Sequence, residues 1–423
     1  MTTRRTLLKA TGAGLLAFGA PLPFGLRSGL ASANPLTDGK LKFLFVFNSG
    51  GWDPTRVLVD GFDNAAIDME PEAGRASVGD LNYISHPDRP SVDGFFEAWG
   101  DRTAVCNGML VRSIAHEICT VLALTGDSSG TRPDWPAILA NEVREDFIIP
   151  HVVLDGPSFP GDLGVAVARA GGQGQLDALI DGSALDLSTM AAGGPSHPAE
   201  GIMDAYMLRR AQAAAGGATS AAQAKLAGDL SHAVEQTRAL KDLRYVMDFS
   251  VGSTLASQAQ VAADLLSLGV ARCATLRQAA SWDTHADNDN LQSPLWESLF
   301  DGLNQLMSVL QTTPGELAPT LADETVVVVL SEMGRTPQLN GFEGKDHWPY
   351  TSAMLIGPSV QGGRVYGGLD SQVYGLPIDP ISGDTGGEQL FSAEALGATL
   401  LAMADIDPGP FVQGVSPIMG MMK

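Results

Sequence analysis

Five short segments of this chain carry side chains suited to holding a cation and handling an anionic ester. Asp53 closes the run Asn48-Ser49-Gly50-Gly51-Trp52-Asp53. Ser113 and His116 follow in a second segment, and Asp283 and His285 share the turn Trp282-Asp283-Thr284-His285. Glu332 and Arg335 lie in Ser331-Glu332-Met333-Gly334-Arg335-Thr336-Pro337, and Asp346 and His347 precede Trp348. Several carboxylates and imidazoles gathered in one cleft would repel and desolvate badly without a cation, so this set predicts a divalent metal. Its candidate ligands are Asp53, Asp283, His285, Glu332, Asp346 and His347. Mixed nitrogen and oxygen donors suit zinc or manganese better than calcium, and one or two ions are expected. Paired metals can clamp the attacking and leaving oxygens of a phosphoryl or sulfuryl transfer, with Arg335 holding the planar anion by a forked contact.

Taken singly, each segment also has an ordinary structural explanation. Asp53 before Pro54 is a good turn former, Glu332 and Arg335 can pair with each other, and Asp283 can hydrogen-bond His285 locally. Their joint placement is what favours chemistry. Leu41 to Phe47 and Thr325 to Leu330 are unbroken apolar runs, as expected of parallel strands buried on both faces. Strands are also predicted at Thr103 to Gly108, His151 to Asp155, Val270 to Leu276 and Ser352 to Ile356. Helices alternate with them at Val92 to Trp99, Ile118 to Thr125, Pro133 to Val143, Ala256 to Leu268, along the Leu295, Leu299, Leu303, Leu306, Leu310 stripe, and at Phe391 to Met403. Such alternation predicts an α/β fold, a mostly parallel sheet with helices on both faces. The carboxyl ends of its strands then share one edge, where ligands bind in open α/β sheets. Residues 60 to 90 read as loop. From about 156 to 252 Gly, Ala and Ser dominate and only helical periodicity persists, so a helical insertion or cap is expected there.

Bulk properties narrow the function. A net charge of -22 excludes a nucleic-acid binder, whose partner requires a basic surface. Apolar content of 44% indicates a globular chain. Cys106, Cys119 and Cys273 can form at most one disulfide and have no zinc-ribbon spacing. Arg4 and Arg5 precede a short apolar segment, Ala10 to Ala20, and Ala31-Ser32-Ala33. This pattern predicts a twin-arginine signal over residues 1–33 with cleavage after about Ala33, export by the twin-arginine machinery, and a periplasmic or secreted protein. The segment is too short for a permanent membrane span, which takes roughly 20 residues. Residues 34–423 are then one domain carrying the insertion.

Together Gly50 to Asp53, Trp282 to His285, Ser331 to Pro337 and Asp346 to Trp348, behind Arg4 and Arg5, resemble the DUF1501 family over essentially the whole mature chain. That family's fold is similar to the alkaline phosphatase superfamily, which includes phosphatases, sulfatases and phosphoglycerate mutases. The resemblance implies a three-layer sandwich in which Asp53 stands as the first-strand metal aspartate. Asp283 with His285 resembles one metal site, and His347 the late histidine ligand. Glu332 stands where an Asp-His pair is usual, and the closeness of Asp283 to His285 is a second departure. Counting back from Leu124-Thr125-Gly126 places His116 at the nucleophile position, with Ser113 one turn earlier. The expected function is an exported metal-dependent hydrolase of phosphate or sulfate esters, acting on a small anionic substrate. The alternative is a non-catalytic periplasmic binding or assembly protein with a structural metal.

Overall fold

The computed structural model of the 423-residue chain describes residues 41–170, 197–243 and 251–423. The expected leader, residues 1–33, lies outside the described residues. The chain divides into two compact units, one formed by Pro35–Gln173 with Val251–Lys423 and the other including Gly174–Ser250.

The first unit is built on an eight-stranded sheet. In chain order its strands are β1 (Lys42–Asn48), β2 (Thr103–Leu110), β3 (His151–Val153), β4 (Val167–Arg169), β5 (Cys273–Arg277), β6 (Thr325–Ser331), β7 (Tyr350–Ile356) and β8 (Arg364–Gly367). Their spatial order is β8-β2-β7-β6-β1-β5-β3-β4. All neighbours pair in parallel except β7, which runs antiparallel between β2 and β6. The apolar runs of β1 and β6 occupy the middle and are buried along their whole length, because helices cover both faces. Side chains alternate across a strand, so Phe43, Phe45 and Phe47 join Val326, Val328 and Leu330 in one core. Leu44, Val46, Val327 and Val329 point to the opposite face and are equally buried.

Helices α1 (Pro90–Trp99), α6 (Leu255–Ser267) and α7 (Asn288–Thr312) pack together over one face. Helices α2 (His116–Thr125), α3 (Trp135–Glu142) and α8 (Ala393–Met403) pack over the other. Helix α2 stops at Gly126, whose left-handed φ of 68° lets its amide close back on Leu122. The second unit contains α4 (His197–Gly216) and α5 (Ala221–Leu243), packed against each other.

The α/β expectation holds, with three differences of detail. Strand β4 belongs to the sheet although it falls inside the stretch expected to be insertion; three residues are too short to show a period. Residues Gly74–Val78 and Leu81–Ser85 form a hairpin where loop was expected; the first strand alternates partly buried and exposed residues, and the second is mostly buried. The antiparallel direction of β7 was invisible because strand direction leaves no mark on composition. It matters here, since the start of β7 then lies on the same edge as the ends of its neighbours: Tyr350 is opposite Leu110. All three cysteines are buried and free. Among the described residues, no helix is long and apolar enough to cross a membrane.

Candidate metal centre

The edge of the sheet gathers its polar residues through tight turns. After β1, Gly50 has φ of 114°, and a Cβ there would meet the backbone of Trp282 at 2.5 Å, so only glycine lets these two loops touch. Below them Trp52, Trp282 and Trp296 form a fully buried aromatic cluster. Gln292 of α7, also fully buried, ties the loops together. Its Oε1 accepts from the Asp53 amide at 2.6 Å and its Nε2 donates to the Trp282 carbonyl at 2.9 Å.

On this base three imidazoles converge on one carboxylate oxygen. Asp283 Oδ1 lies 3.5 Å from His116 Nε2, 3.0 Å from His285 Nε2 and 3.3 Å from His347 Nε2. The Nε2 atoms of His285 and His347 are themselves 3.0 Å apart. Each imidazole has its other nitrogen fixed by an acceptor. His116 Nδ1 donates to Glu332 Oε1 at 2.9 Å, His285 Nδ1 to Asp346 Oδ1 at 2.9 Å, and His347 Nδ1 to the Ile114 carbonyl at 2.7 Å. With Nδ1 protonated, the neutral rings turn three Nε2 lone pairs toward one another and toward a carboxylate. His116 Nε2 is buried with no hydrogen-bond partner.

This donor set fits a metal ion. A tetrahedral ion with bonds of about 2.0–2.1 Å spaces its donors about 3.3 Å apart, and the observed separations lie on either side of that value. The donors of His116, Asp283 and His347 all lie within 4.8 Å of one another. Among the described residues, no second group of this kind occurs. Acceptors behind metal-binding imidazoles are the usual device for fixing the tautomer and ring orientation. The local field also favours a cation: hydrogen bonding to Glu332 raises the His116 pKa above its ordinary value. Burial pushes the Asp283 carboxyl up, but the hydrogen bond and charge of Arg335 outweigh it and hold the group below its ordinary value.

The remaining expected residues are placed differently. Asp53 is fully buried and is not among the converging donors. It accepts from Lys345 Nζ at 2.8 Å, Thr55 Oγ1 at 2.6 Å and Asn288 Nδ2 at 3.1 Å, and Arg56 Nε is 3.5 Å away. A lysine and an arginine therefore supply the positive charge expected there from a metal. Glu332 and Asp346 stand behind His116 and His285 as orienting carboxylates, and the amide of Gly50 also donates to Glu332 Oε1 at 2.7 Å. Arg335 is 2% exposed and fully engaged by the protein. Its Nε donates to the Gly51 carbonyl at 2.8 Å and its NH1 to the Lys345 carbonyl at 3.1 Å. NH2 bonds the Gly50 carbonyl and, at 2.7 Å, Asp283. It holds the two loops and Asp283 together and has no fork left for a substrate. The Ser113 hydroxyl accepts from the Ala115 amide at 3.2 Å, which makes it a turn residue before α2.

An open cleft of about 590 Å³ reaches this centre, lined by Ser49, His116, Thr120, Arg277, Asp283 and Glu332 among others. The nearby Cys119 thiol is pushed up to about 11 by burial and is not a thiolate at neutral pH. The sequence reading missed Lys345 and Arg277. Lys345 directly precedes the Asp346-His347 pair and Arg277 ends a strand, so position alone was the available signal for both.

A comparison with curated proteins returns no match. Among solved structures the chain is similar to Ps i-CgsB, crystallised with k-i-k-neocarrahexaose, at a TM-score of 0.42 and 11% identity over 90% of this chain and 75% of that one. It is similar also to BT4656, in complex with its substrate D-glucosamine-2-N,6-O-disulfate, at 0.36 and 11% over 89% and 79%. A third likeness is to the phosphonate monoester hydrolase of Agrobacterium radiobacter, at 0.32 and 12% over 89% and 78%. The family model described as protein of unknown function, DUF1501, matches residues 96–414, well over half of the sequence. The chain belongs to the DUF1501 family.

Proposed function

We propose that this protein is a metal-dependent hydrolase of phosphate or sulfate esters with a single ion held by His116, Asp283 and His347. The observation that carries the reading is the convergence of buffered Nε2 atoms on Asp283, open to a cleft. Nitrogen-rich donors favour zinc over manganese. Three protein donors leave a coordination position for chemistry, and the ion would supply Lewis acidity toward water and an ester oxygen. The chain's own residues have clear tasks. Glu332, Asp346 and the Ile114 carbonyl hold the three imidazoles with Nε2 deprotonated, and Arg335 keeps Asp283 ionised and in place. His116, in this reading, is a donor and not a phosphoryl acceptor. The ester class is supported by the resemblance of the sequence motifs to the alkaline phosphatase superfamily and by Arg277 in the cleft. Purified protein is expected to retain about one zinc per chain and to hydrolyse aryl phosphate or aryl sulfate esters, with both properties lost in His347→Ala. Metal-free wild type, or metal with no turnover of either ester class, would refute it.

One observation favours a second reading. His285 Nε2 is as close to Asp283 and His347 as the other donors are. Were it a fourth ligand, the set would be closed, as in structural zinc sites, and the protein would be a binding or assembly factor. Cobalt substitution separates the two, because an added anion such as azide changes the visible spectrum only if a position is open. We further propose export in the folded state, supported by the Arg4-Arg5 leader. Replacing both arginines by lysine is expected to strand the protein in the cytoplasm; unchanged fractionation would sink the idea.

A further inference from the structure

We infer that Arg277 is the residue that receives the oxyanion of the substrate in this cleft, the task the sequence suggested for Arg335. The inference rests on the hydrolase reading for its context and on the following geometry for its content. Arg277 is the last residue of β5 and pairs in register with Phe47, two residues before Ser49. Its backbone is fixed from both sides by Gln258 of α6, which is fully buried: Gln258 Oε1 accepts from the Arg277 amide at 3.0 Å and Gln258 Nε2 donates to its carbonyl at 2.9 Å. The side chain, 36% exposed, lines the metal-centre cleft. It also lines an adjoining pocket of about 370 Å³ bounded by Phe47, Ser49, Thr120, Asp155, Gly156 and Pro157.

Its charge is only loosely used by the protein. Nε lies 3.3 Å from Asp155 Oδ1, yet this buried nitrogen makes no hydrogen bond in that geometry. Among the described residues the two terminal nitrogens have no hydrogen-bond partner. The other charged groups lining the metal-centre cleft are acids, namely Glu117, Asp283 and Glu332. An anionic substrate entering toward the metal would therefore be repelled unless a cation met it. A guanidinium presents a planar fork of donors that matches two oxygens of a tetrahedral oxyanion, and Ser49 and Thr120 bring hydroxyls to the same walls. The ligand class is a phosphate or sulfate monoester, or the free oxyanion that is its product.

Titration calorimetry with inorganic phosphate and, separately, inorganic sulfate tests this on metal-free and zinc-loaded protein. In at least one of these forms, wild type is expected to bind one of the anions, with Kd rising at least tenfold in Arg277→Ala and by less in Arg277→Lys. Asp155→Asn, which releases the guanidinium from the one acid lining the pocket among the described residues, is expected to tighten binding severalfold, a gain that a purely structural role for Arg277 would not produce. Zinc content and Tm should match wild type in all three variants. Equal anion affinity in wild type and in folded, zinc-loaded Arg277→Ala overturns the inference, as does absence of anion binding by wild type. The two readings fail separately. Arginine-dependent anion binding without ester turnover removes the hydrolase and keeps the site, whereas ester hydrolysis with unchanged KM and kcat in Arg277→Ala removes the site and keeps the hydrolase.

Discussion

Replacing Lys345 by methionine removes one member of a fully buried ion pair. Lys345 is fully buried and its Nζ reaches Asp53 at 2.8 Å, with Thr55 Oγ1 at 3.2 Å. Removing one partner of a buried pair typically costs about 3–5 kcal/mol, because the other charge is left behind. Asp53 keeps Arg56 at 3.5 Å and its bonds from Thr55 and Asn288, so the lower end, about 3 kcal/mol, applies. At about 2.1 cal/mol/K of unfolding entropy per residue over a unit of roughly 300 residues, the loss lowers Tm by about 5 °C. Urea unfolding of Lys345→Met, Asp53→Asn and the double variant should show a coupling of about 2 kcal/mol or more between the two sites. The pair also sets an acid limit. Burial works against the Asp53 carboxylate, but Lys345 and Arg56 together hold its pKa far below the ordinary range. Burial lowers Lys345 more than Asp53 raises it, yet two cations around one acid leave the carboxylate ionised, so the pair breaks from the acid side. Because the folded carboxyl titrates below the unfolded one, this stabilisation is complete above about pH 4 and fades as pH falls further. Asp53→Asn should lack that part of the acid loss. Additive single variants, or a loss under 1 kcal/mol for Lys345→Met, would refute the assignment of Lys345 as the counter-cation.

Three further outcomes follow from the centre itself. Glu332→Gln keeps the shape but weakens the hold on His116 Nδ1, and zinc affinity by competitive chelation is expected to fall about 10–100-fold. Gly344→Ala would place a Cβ 2.0 Å from the His285 carbonyl carbon, forcing that loop away from Asp346; zinc affinity should drop while far-ultraviolet circular dichroism stays unchanged. Stripping zinc with a chelator, from protein held in free zinc at 100 times its dissociation constant, should remove about 2.7 kcal/mol of stability, read as a lower Tm that added zinc restores.

Much of this site was visible in the order of residues, and the reasons are specific. Buried parallel strands need long apolar runs, so β1 and β6 announce themselves, and the polar residues that follow must lie on one edge. Thus Asp283, His285 and His347 were expected on this edge by position and type, and His116 was expected there at the nucleophile position; the structure brings the four side chains together. Their division into converging donors and orienting acceptors was not expected, because His347 faces Asp283 while Glu332 stands behind His116, a difference set by contacts between distant loops. Asp53 shows the same limit more sharply. A carboxylate at a strand end calls for a positive charge, and whether that charge is a metal or Lys345 depends on a segment far along the chain. Arg335 and Arg277 are both arginines at strand ends; only the loops around them show that one is engaged by carbonyls and the other faces open space.

The antiparallel strand β7 has a consequence for how the centre comes into being. It seats between β2 and β6, so until it does, the sheet is two separate pieces, one holding His116 and the other Asp283, His285 and Glu332. The same strand delivers His347 from the residues just before it. In the folded sheet the three donors meet through the pairing of β7 on both its sides, and such distant pairings form slowly because loop closure precedes any gain from contact. In the proposed metal reading, ion retention would therefore report that the sheet has closed around β7.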